Sequence, residues 1–425
     1  MPPHAPDVLI IGGGAAGLAT AIFLRRQSPR AVTVVDGART LGAKILVSGG
    51  GRCNVTNAVV GEGDFWGGRR TIVRQVLRAF PATAAIDFFR ELGIALHEED
   101  DGKLFPDSNR ARDVLDALLR EADRVGVRIL TGVRALDIAR DSPVSAARFA
   151  VTTASGELSA GVVVLATGGR SLPKSGSDGT GYGLARRLGH SLIETTPALV
   201  PLLVAGGGPH TGIAGVAHDA ELTLWQDGRA AWRGAGALLW THFGISGPVA
   251  LNASRHWERA RLAASLSGEP DPQVRLTVSF CPGRSFEDVD RQLIDAGQAR
   301  PRASARSILA DWLPASVAAA IVDRLALADA PLSQLPREER RRLTHALTAS
   351  PLDVTGTRGY THAEVTAGGV PLDEIDPATL ESRVCANLFL VGEILDVDGR
   401  LGGFNFQWAW SSAFVAARAI ARSES

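Results

Sequence analysis

The opening of the chain constrains its fold more than any other stretch. Val8-Leu9-Ile10-Ile11 is a short apolar run, followed by Gly12-Gly13-Gly14-Ala15-Ala16-Gly17 and then by apolar residues from Leu18 to Leu24. A buried strand that enters a Gly-x-Gly-x-x-Gly turn and leaves as a helix is the arrangement that cradles a dinucleotide pyrophosphate. Gly12 permits the tight turn, Gly14 lets the backbone approach the phosphates, and Gly17 lets helix and strand pack closely. Ala15 and Ala16 lie in the first helical turn, where free N–H groups and the positive end of the helix dipole meet the anion. Val32-Thr33-Val34-Val35 predicts a second strand ending in Asp36-Gly37. That places a carboxylate about twenty residues after the turn, where it can accept from ribose hydroxyls.

The chain has 425 residues, enough for two or three domains around large cores. Lys+Arg and Asp+Glu each number 45, so no global field draws it to nucleic acid or to an anionic membrane. No apolar run reaches the length of a membrane span, and the residues before the first strand leave no room for a signal peptide. The three cysteines, Cys53, Cys281 and Cys385, are far apart and suit a reducing compartment. A cytoplasmic protein without a metal site is the expectation. Only three basic residues are lysines, Lys44, Lys103 and Lys174. Where arginine is the habitual cation, a lysine marks a place at which a guanidinium would not serve.

Periodicity predicts an α/β architecture: a two-segment Rossmann-like dinucleotide-binding domain with an inserted β-barrel-like module and a small helical subdomain. The first covers residues 1–195 and 356–425, the β module 196–283 and 349–355, and the helical piece 284–348. Helices are expected over Thr71 to Phe80, Ala82 to Leu92 and Arg110 to Val125. A strand is expected from Val133, which joins the cofactor set, and another from Gly161 to Ala166, running into Thr167-Gly168-Gly169. In the insert, Leu199 to Val204, Ala220 to Gln226, Ala230 to Arg233 and Gln273 to Phe280 read as short strands.

The C-terminal tail selects FAD over NAD. The strand Leu388-Phe389-Leu390-Val391 ends in Gly392-Glu393, and Leu401-Gly402-Gly403-Phe404-Asn405 opens a final helix. In two-segment FAD folds such a carboxylate accepts from a ribityl hydroxyl. The N–H groups at the helix start face the pyrimidine edge of the flavin, where negative charge gathers on reduction. On three stretches, Lys44 to Asn57 (KILVSGGGRCNVTN), Thr366 to Pro371 (TAGGVP) and Val391 to Ser412 (VGEILDVDGRLGGFNFQWAWSS), the chain resembles the BaiN/RdsA-type NAD(P)/FAD-dependent oxidoreductases of bacteria. Pro197 to Pro201 and Thr241 to Pro248 match the inserted barrel of that family, so the likeness spans nearly the whole chain. Asp36 stands where a glutamate is commoner, and Phe404 and Phe406 replace a more usual Tyr and Leu. The resemblance implies reduction of an activated carbon–carbon double bond, in a steroid-like enone or in a uridine of large-subunit ribosomal RNA.

Several side chains are candidates for the chemistry. Ser48, Gly50 and Gly51 offer backbone N–H groups to the flavin pyrophosphate or ring, with Arg52 or Lys44 supplying charge. Cys53 is either a general acid beside the flavin or inert core packing. His242, in Thr241 to Pro248, is either an acid or substrate ligand or a structural histidine. No second Gly-x-Gly-x-x-Gly follows, so NAD(P)H, the expected transient reductant, must visit the flavin without a Rossmann domain of its own. Arg337, Arg340, Arg341 and Arg342, with Arg300, Arg302 and Arg306 nearby, form either a phosphate-contacting face for RNA or a solvated surface of internal ion pairs. An amine-type oxidase and a non-catalytic flavin sensor are the alternative functions.

Overall fold

A computed structural model describes residues 6–140, 148–206, 212–267, 274–327 and 330–423. The chain divides into two compact units, one running up to Pro197 and resuming at Glu364, the other Ala198–Ala363. The expected boundaries lay a few residues away at each crossing, and the helical segment was expected to stand apart as a third body. It does not, for a reason given below.

The first unit is built on a five-stranded parallel sheet. We label its strands β1 (Val8–Ile11), β2 (Val32–Asp36), β3 (Arg128–Thr131), β4 (Val162–Leu165) and β5 (Leu388–Leu390). Their order across the sheet is β5-β4-β1-β2-β3. The register pairs Val8 with Val32 on one side and with Val162 on the other. The chain thus leaves β1 for β2 on one flank and returns through β4 on the opposite flank. This reversal opens a crevice beyond the carboxyl ends of the central strands, where open α/β sheets bind ligands. β1 is buried along its whole length because both faces of the sheet are covered.

Helix α1 (Ala15–Gln27) follows the glycine turn, and Leu18 to Leu24 are all buried. It packs against the last helix, α2 (Phe404–Arg422), with the Phe23 ring edge-on to Phe414 at 5.5 Å. An all-round apolar stretch, rather than one stripe, is what a helix wedged between sheet and helix requires. Trp408 and Trp410 anchor α2 by donating their indole N–H groups to the carbonyls of Gly392 (3.1 Å) and Val55 (2.9 Å).

The second unit is a seven-stranded antiparallel sheet. Its order is Ser350–Leu352, Val274–Ser279, Ala217–Gln226, Arg229–Thr241, Gly244–Ser246, Leu202–Val204 and Val354–Thr357. The two outermost strands are consecutive in sequence, separated only by Asp353, so the sheet rolls until its edges meet in one segment. Gln273, which the sequence placed in a strand, lies outside the described residues.

The helices Phe286–Ala299 and Arg337–Thr348 share the core of this sheet. Val289, Leu293, Leu343 and Leu347 lose all exposure in one cluster with Leu276 and Val278 of the barrel. Because these helices and the sheet bury their apolar faces in one continuous cluster, the helical segment is not a separate body. Ser285 starts the first of these helices with a reciprocal capping box to Asp288. Among the described residues no helix is long and apolar enough to cross a membrane.

Among the described glycines, the tightest constraint set by backbone is at Gly17. A Cβ there would collide with the Gly12 carbonyl oxygen and stand 3.2 Å from Ala166 Cβ. Gly17→Ala should therefore lower stability by about 1–3 kcal/mol through overpacking. The check is the denaturant midpoint of the cofactor-free protein, which should fall.

Candidate functional site

The carboxyl ends of β1, β2, β4 and β5 bring four glycine-containing segments together. After β1, Gly12 takes φ +109° and donates its N–H to the Val35 carbonyl at 2.8 Å. A side chain at Gly12 would collide with the Ala166 carbonyl at the end of β4, so the protein itself dictates this glycine. Gly14 differs. It begins α1 with φ −81°, and an added Cβ would meet nothing within 4 Å. No protein atom calls for glycine there, which leaves open space for a ligand to fill. α1 has no side-chain cap and no acidic residue in its first turn, so its dipole and free N–H groups are uncompensated.

Asp36 closes the turn. Its carboxylate accepts the Gly13 N–H on Oδ2 and the Ala38 N–H on Oδ1, both at 2.7 Å. Each oxygen retains a lone pair for a ribose hydroxyl. Val133 donates its N–H to the Asp36 carbonyl at 2.9 Å, tying the end of β3 to the same corner. Gly37 lies under the Arg134 side chain, whose guanidinium reaches Asp178 and Thr180. At the end of β4, the Thr167 hydroxyl is buried without a partner, and Gly168 (φ +68°) sits beside Ser177, whose hydroxyl is likewise unpartnered. Buried hydroxyls of this kind are satisfied in finished structures by a ligand or water.

The C-terminal segment supplies the fourth wall. Gly392 takes φ +74° and approaches Ala16 so closely that a Cβ would stand 2.9 Å from the alanine Cβ. Its N–H donates to Ser412 Oγ at 3.0 Å. Gly403 (φ +91°) precedes α2, where a side chain would collide with the Thr56 backbone. α2 also begins without a side-chain cap or an acidic first turn. The Phe404 side chain is fully buried beside Phe65, and the Asn405 amide is spent on both backbone groups of Gly399, at 2.8 and 3.0 Å. What these two residues can present to a ligand is therefore their main chain.

A polar network joins the segments after β2, β4 and β5 to the strand Val365–Gly369. Glu393 Oε2 receives the Lys44 ammonium at 2.6 Å, and Oε1 receives the Ser171 hydroxyl at 2.8 Å and the Thr366 N–H at 3.0 Å. Lys44 also donates to Ser171 Oγ at 2.6 Å, and Thr366 Oγ1 accepts the N–H groups of Arg170 and Ser171. A Cβ at Gly169 would press on both Thr366 and Glu393. The sequence pointed to Lys44 and Glu393 separately. Ser171 and Thr366 were missed, although each stands inside a glycine-rich block.

Two expected side-chain roles do not survive, those of Arg52 and Cys53. Arg52 is paired with Glu99 at 2.6 Å and lies 4.1 Å over the Phe105 ring, so its charge is already committed. Cys53 has no exposed surface, and burial pushes its thiol up to about 12. A side chain enclosed in core cannot hand a proton to a substrate, and the packing role prevails. The Ser48 hydroxyl donates to the Ile45 carbonyl at 2.8 Å, while Gly49, Gly50 and Gly51 form an exposed left-handed turn with φ of 54°, 69° and 87°. That turn explains the glycine run by backbone geometry alone. His242 belongs to the second unit, exposed and edge-on to Phe243 at 5.0 Å. The arginine cluster is largely paired. Arg340 meets Asp290, Arg306 meets Asp323 and Arg300 meets Asp311, while Arg341 lies over Phe286 and Arg342 donates to the Leu325 carbonyl.

Comparison with known proteins fits this geometry. The family described as HI0933-like protein Rossmann domain matches residues 6–419. The chain is 34% identical over 414 residues to the 3-dehydro-bile acid delta(4,6)-reductase of Clostridium scindens, covering 97% of this chain and 98% of that one. It is 32% identical over 426 residues to the ribosomal RNA dihydrouridine synthase of Escherichia coli, covering 99% of each. Among solved structures, 3-ketosteroid delta1-dehydrogenase from Sterolibacterium denitrificans aligns with a TM-score of 0.50 at 13% identity, covering 99% of this chain and 100% of that one. At that identity the likeness speaks for the fold alone.

Two outcomes follow from the glycine and thiol geometry. Gly14→Val should cost the cofactor-free protein no more than about 1 kcal/mol, the loss expected for valine at a helix N-cap, yet abolish dinucleotide retention. Loss of stability without loss of binding would reverse the assignment. Cys53 should stay unlabelled by iodoacetamide in the native protein at pH 8, where a thiol of pKa about 12 is thiolate in roughly one molecule in ten thousand. Peptide mapping that found rapid native labelling at this residue would return it to the candidate donors.

Proposed function

The chain belongs to the HI0933-like Rossmann family, and from that premise we propose that it is an FAD-dependent oxidoreductase that reduces a carbon–carbon double bond conjugated to a carbonyl. The observation that carries the cofactor reading is the pair of long helices, α1 and α2, that begin on glycine without side-chain caps in one sheet-based unit. Two uncompensated helix starts suit a ligand with two separate electron-rich parts, a pyrophosphate and a flavin pyrimidine edge.

In this reading the first-turn N–H groups after Gly14 hold the pyrophosphate, and Asp36 takes the adenosine ribose. The N–H groups after Gly403 face the flavin. Bound FAD supplies two-electron hydride chemistry. The protein binds, orients and excludes water, and the hydrogen-bond donors at the start of α2 favour the more negative, reduced state of what they touch. We take NAD(P)H as the reductant.

One relative's name is that of a delta(4,6)-reductase and the other's that of a dihydrouridine synthase. Both reactions saturate a double bond polarised by a carbonyl, and that shared chemistry defines the proposed substrate class. Ion pairs at Arg300, Arg306 and Arg340 weigh toward the solvated-surface alternative for the arginine cluster. Guanidinium groups already matched to Asp290, Asp311 and Asp323 offer little net charge to phosphates.

Stopped-flow reduction by NADH and NADPH, followed by mixing with candidate acceptors, tests the proposal. A conjugated enone or a uridine-containing ribosomal RNA fragment should reoxidise the flavin under anaerobic conditions. If the enone is the substrate class, the rate should show little dependence on salt, whereas an RNA substrate should give a steep salt dependence. Reoxidation by oxygen alone would contradict double-bond reduction and favour an oxidase, and no reduction by any donor would favour a sensor.

A further inference from the structure

We propose that Lys44 is a positioning residue for the cofactor: through Glu393 it locks the β5 turn against the first turn of α1 and against α2. The inference rests on the FAD reading above and adds to it a residue that acts without touching the cofactor.

Four chain segments converge on the Glu393 carboxylate. Lys44 comes from the helix after β2, Ser171 from the loop after β4, Thr366 from the strand Val365–Gly369, and Glu393 itself from the turn after β5. The Lys44 ammonium, Ser171 hydroxyl and Glu393 carboxylate close a ring, with contacts of 2.6, 2.6 and 2.8 Å. Both carboxylate oxygens are thereby engaged within the protein. The pair is partly shielded, with the lysine side chain 25% and the glutamate 18% exposed.

Residue 392 transmits the effect. Gly392 lies against Ala16 in the first turn of α1, donates its N–H to Ser412 of α2, and accepts from Trp408 of α2 through its carbonyl. The rotation of Glu393 is therefore coupled to the first turn of α1 and to the body of α2, whose own first turn follows Gly403. Removing the ammonium leaves a half-shielded carboxylate with two neutral donors, and the turn loses the charge that orients it.

The geometry also explains why a lysine stands here in a chain whose cations are otherwise almost all arginine. A single nitrogen lies 2.6 Å from two acceptors on different segments, Ser171 Oγ and Glu393 Oε2. A tetrahedral ammonium serves both from one point, whereas a planar guanidinium presents separate nitrogens and needs more room. Ser171 is fully buried, so that room is absent.

The test measures FAD dissociation constant and release rate for Lys44→Met, Lys44→Arg, Ser171→Ala, Glu393→Gln and the Lys44→Met/Glu393→Gln pair, together with the unfolding midpoint of each FAD-free protein. Lys44→Met should weaken FAD binding on the order of ten- to a hundredfold, the range for a charge-assisted hydrogen bond. Lys44→Arg should not rescue it, and Ser171→Ala should give a smaller loss of the same kind. The double variant should bind no worse than the weaker single one, because both changes break the same ring. FAD-free midpoints should fall by less than the holoprotein midpoints, since a partly shielded pair contributes some stability of its own while the cofactor-dependent part is lost only where FAD is bound. If wild type binds FAD and Lys44→Met binds it equally well, or Lys44→Arg restores binding, the inference is overturned while the FAD reading stands. An FAD-free midpoint that falls as far as the holoprotein's would make Lys44 structural and overturn it too. A wild-type protein that takes up no FAD overturns both.

Discussion

Parallel pairing of β1 between β2 and β4 is the constraint on which the rest of the first unit depends. Because Val8–Ile11 is flanked in register by Val32–Val35 and Val162–Leu165, the turns that follow all three strands emerge at one edge of the sheet. β5 joins the same edge from the far end of the chain through its pairing with β4. Segments that are hundreds of residues apart in sequence thus become neighbours without any of them carrying a long side chain. Moving one strand by one residue would swap the side chains it packs on the two covered faces and pull its turn out of the cluster. Hydrophobic burial of β1 therefore fixes the position of the glycine turn as well as the stability of the sheet.

At that edge side chains hold the backbone of the turns in place. Gly12, Gly17, Gly392 and Gly403 are set by collisions that any Cβ would make with the protein itself, while Gly14 faces open space. The division separates glycines whose place is set by the surrounding protein from one, Gly14, that the protein leaves uncrowded. Asp36, Ser412, Trp408 and Asn405 all spend hydrogen bonds on main-chain groups of the turns. The second unit follows another logic, a rolled sheet whose helices share one core and whose surface arginines are matched by nearby acids.

The parts of this arrangement legible in sequence are those governed by local sterics. The spacing of Gly12, Gly14 and Gly17, the apolar strands and the Gly392-Glu393 strand end each follow from a few consecutive residues. The parts not legible are partnerships across the chain. Lys44 and Glu393 are 349 residues apart, and nothing local announces that the carboxylate is claimed by a lysine, a serine and a backbone N–H. Cys53 and Arg52 misled for the same reason. Both stand in a glycine-rich loop that reads as a cofactor contact, but one is enclosed by core and the other is drawn to Glu99 and Phe105. Even the left-handed Gly49-Gly50-Gly51 turn, visible as a glycine run, gave no sign of which way it faces.

The central claim is that the carboxyl edge of the five-stranded sheet holds FAD through backbone donors. The most direct measurement is to denature the purified protein, separate the released chromophore and determine its identity and its amount per chain. The account requires intact FAD, released without covalent attachment, at a stoichiometry approaching one per chain after reconstitution. A chromophore limited to FMN, a flavin that stays attached to the denatured chain, or a protein that takes up no flavin at all would contradict it.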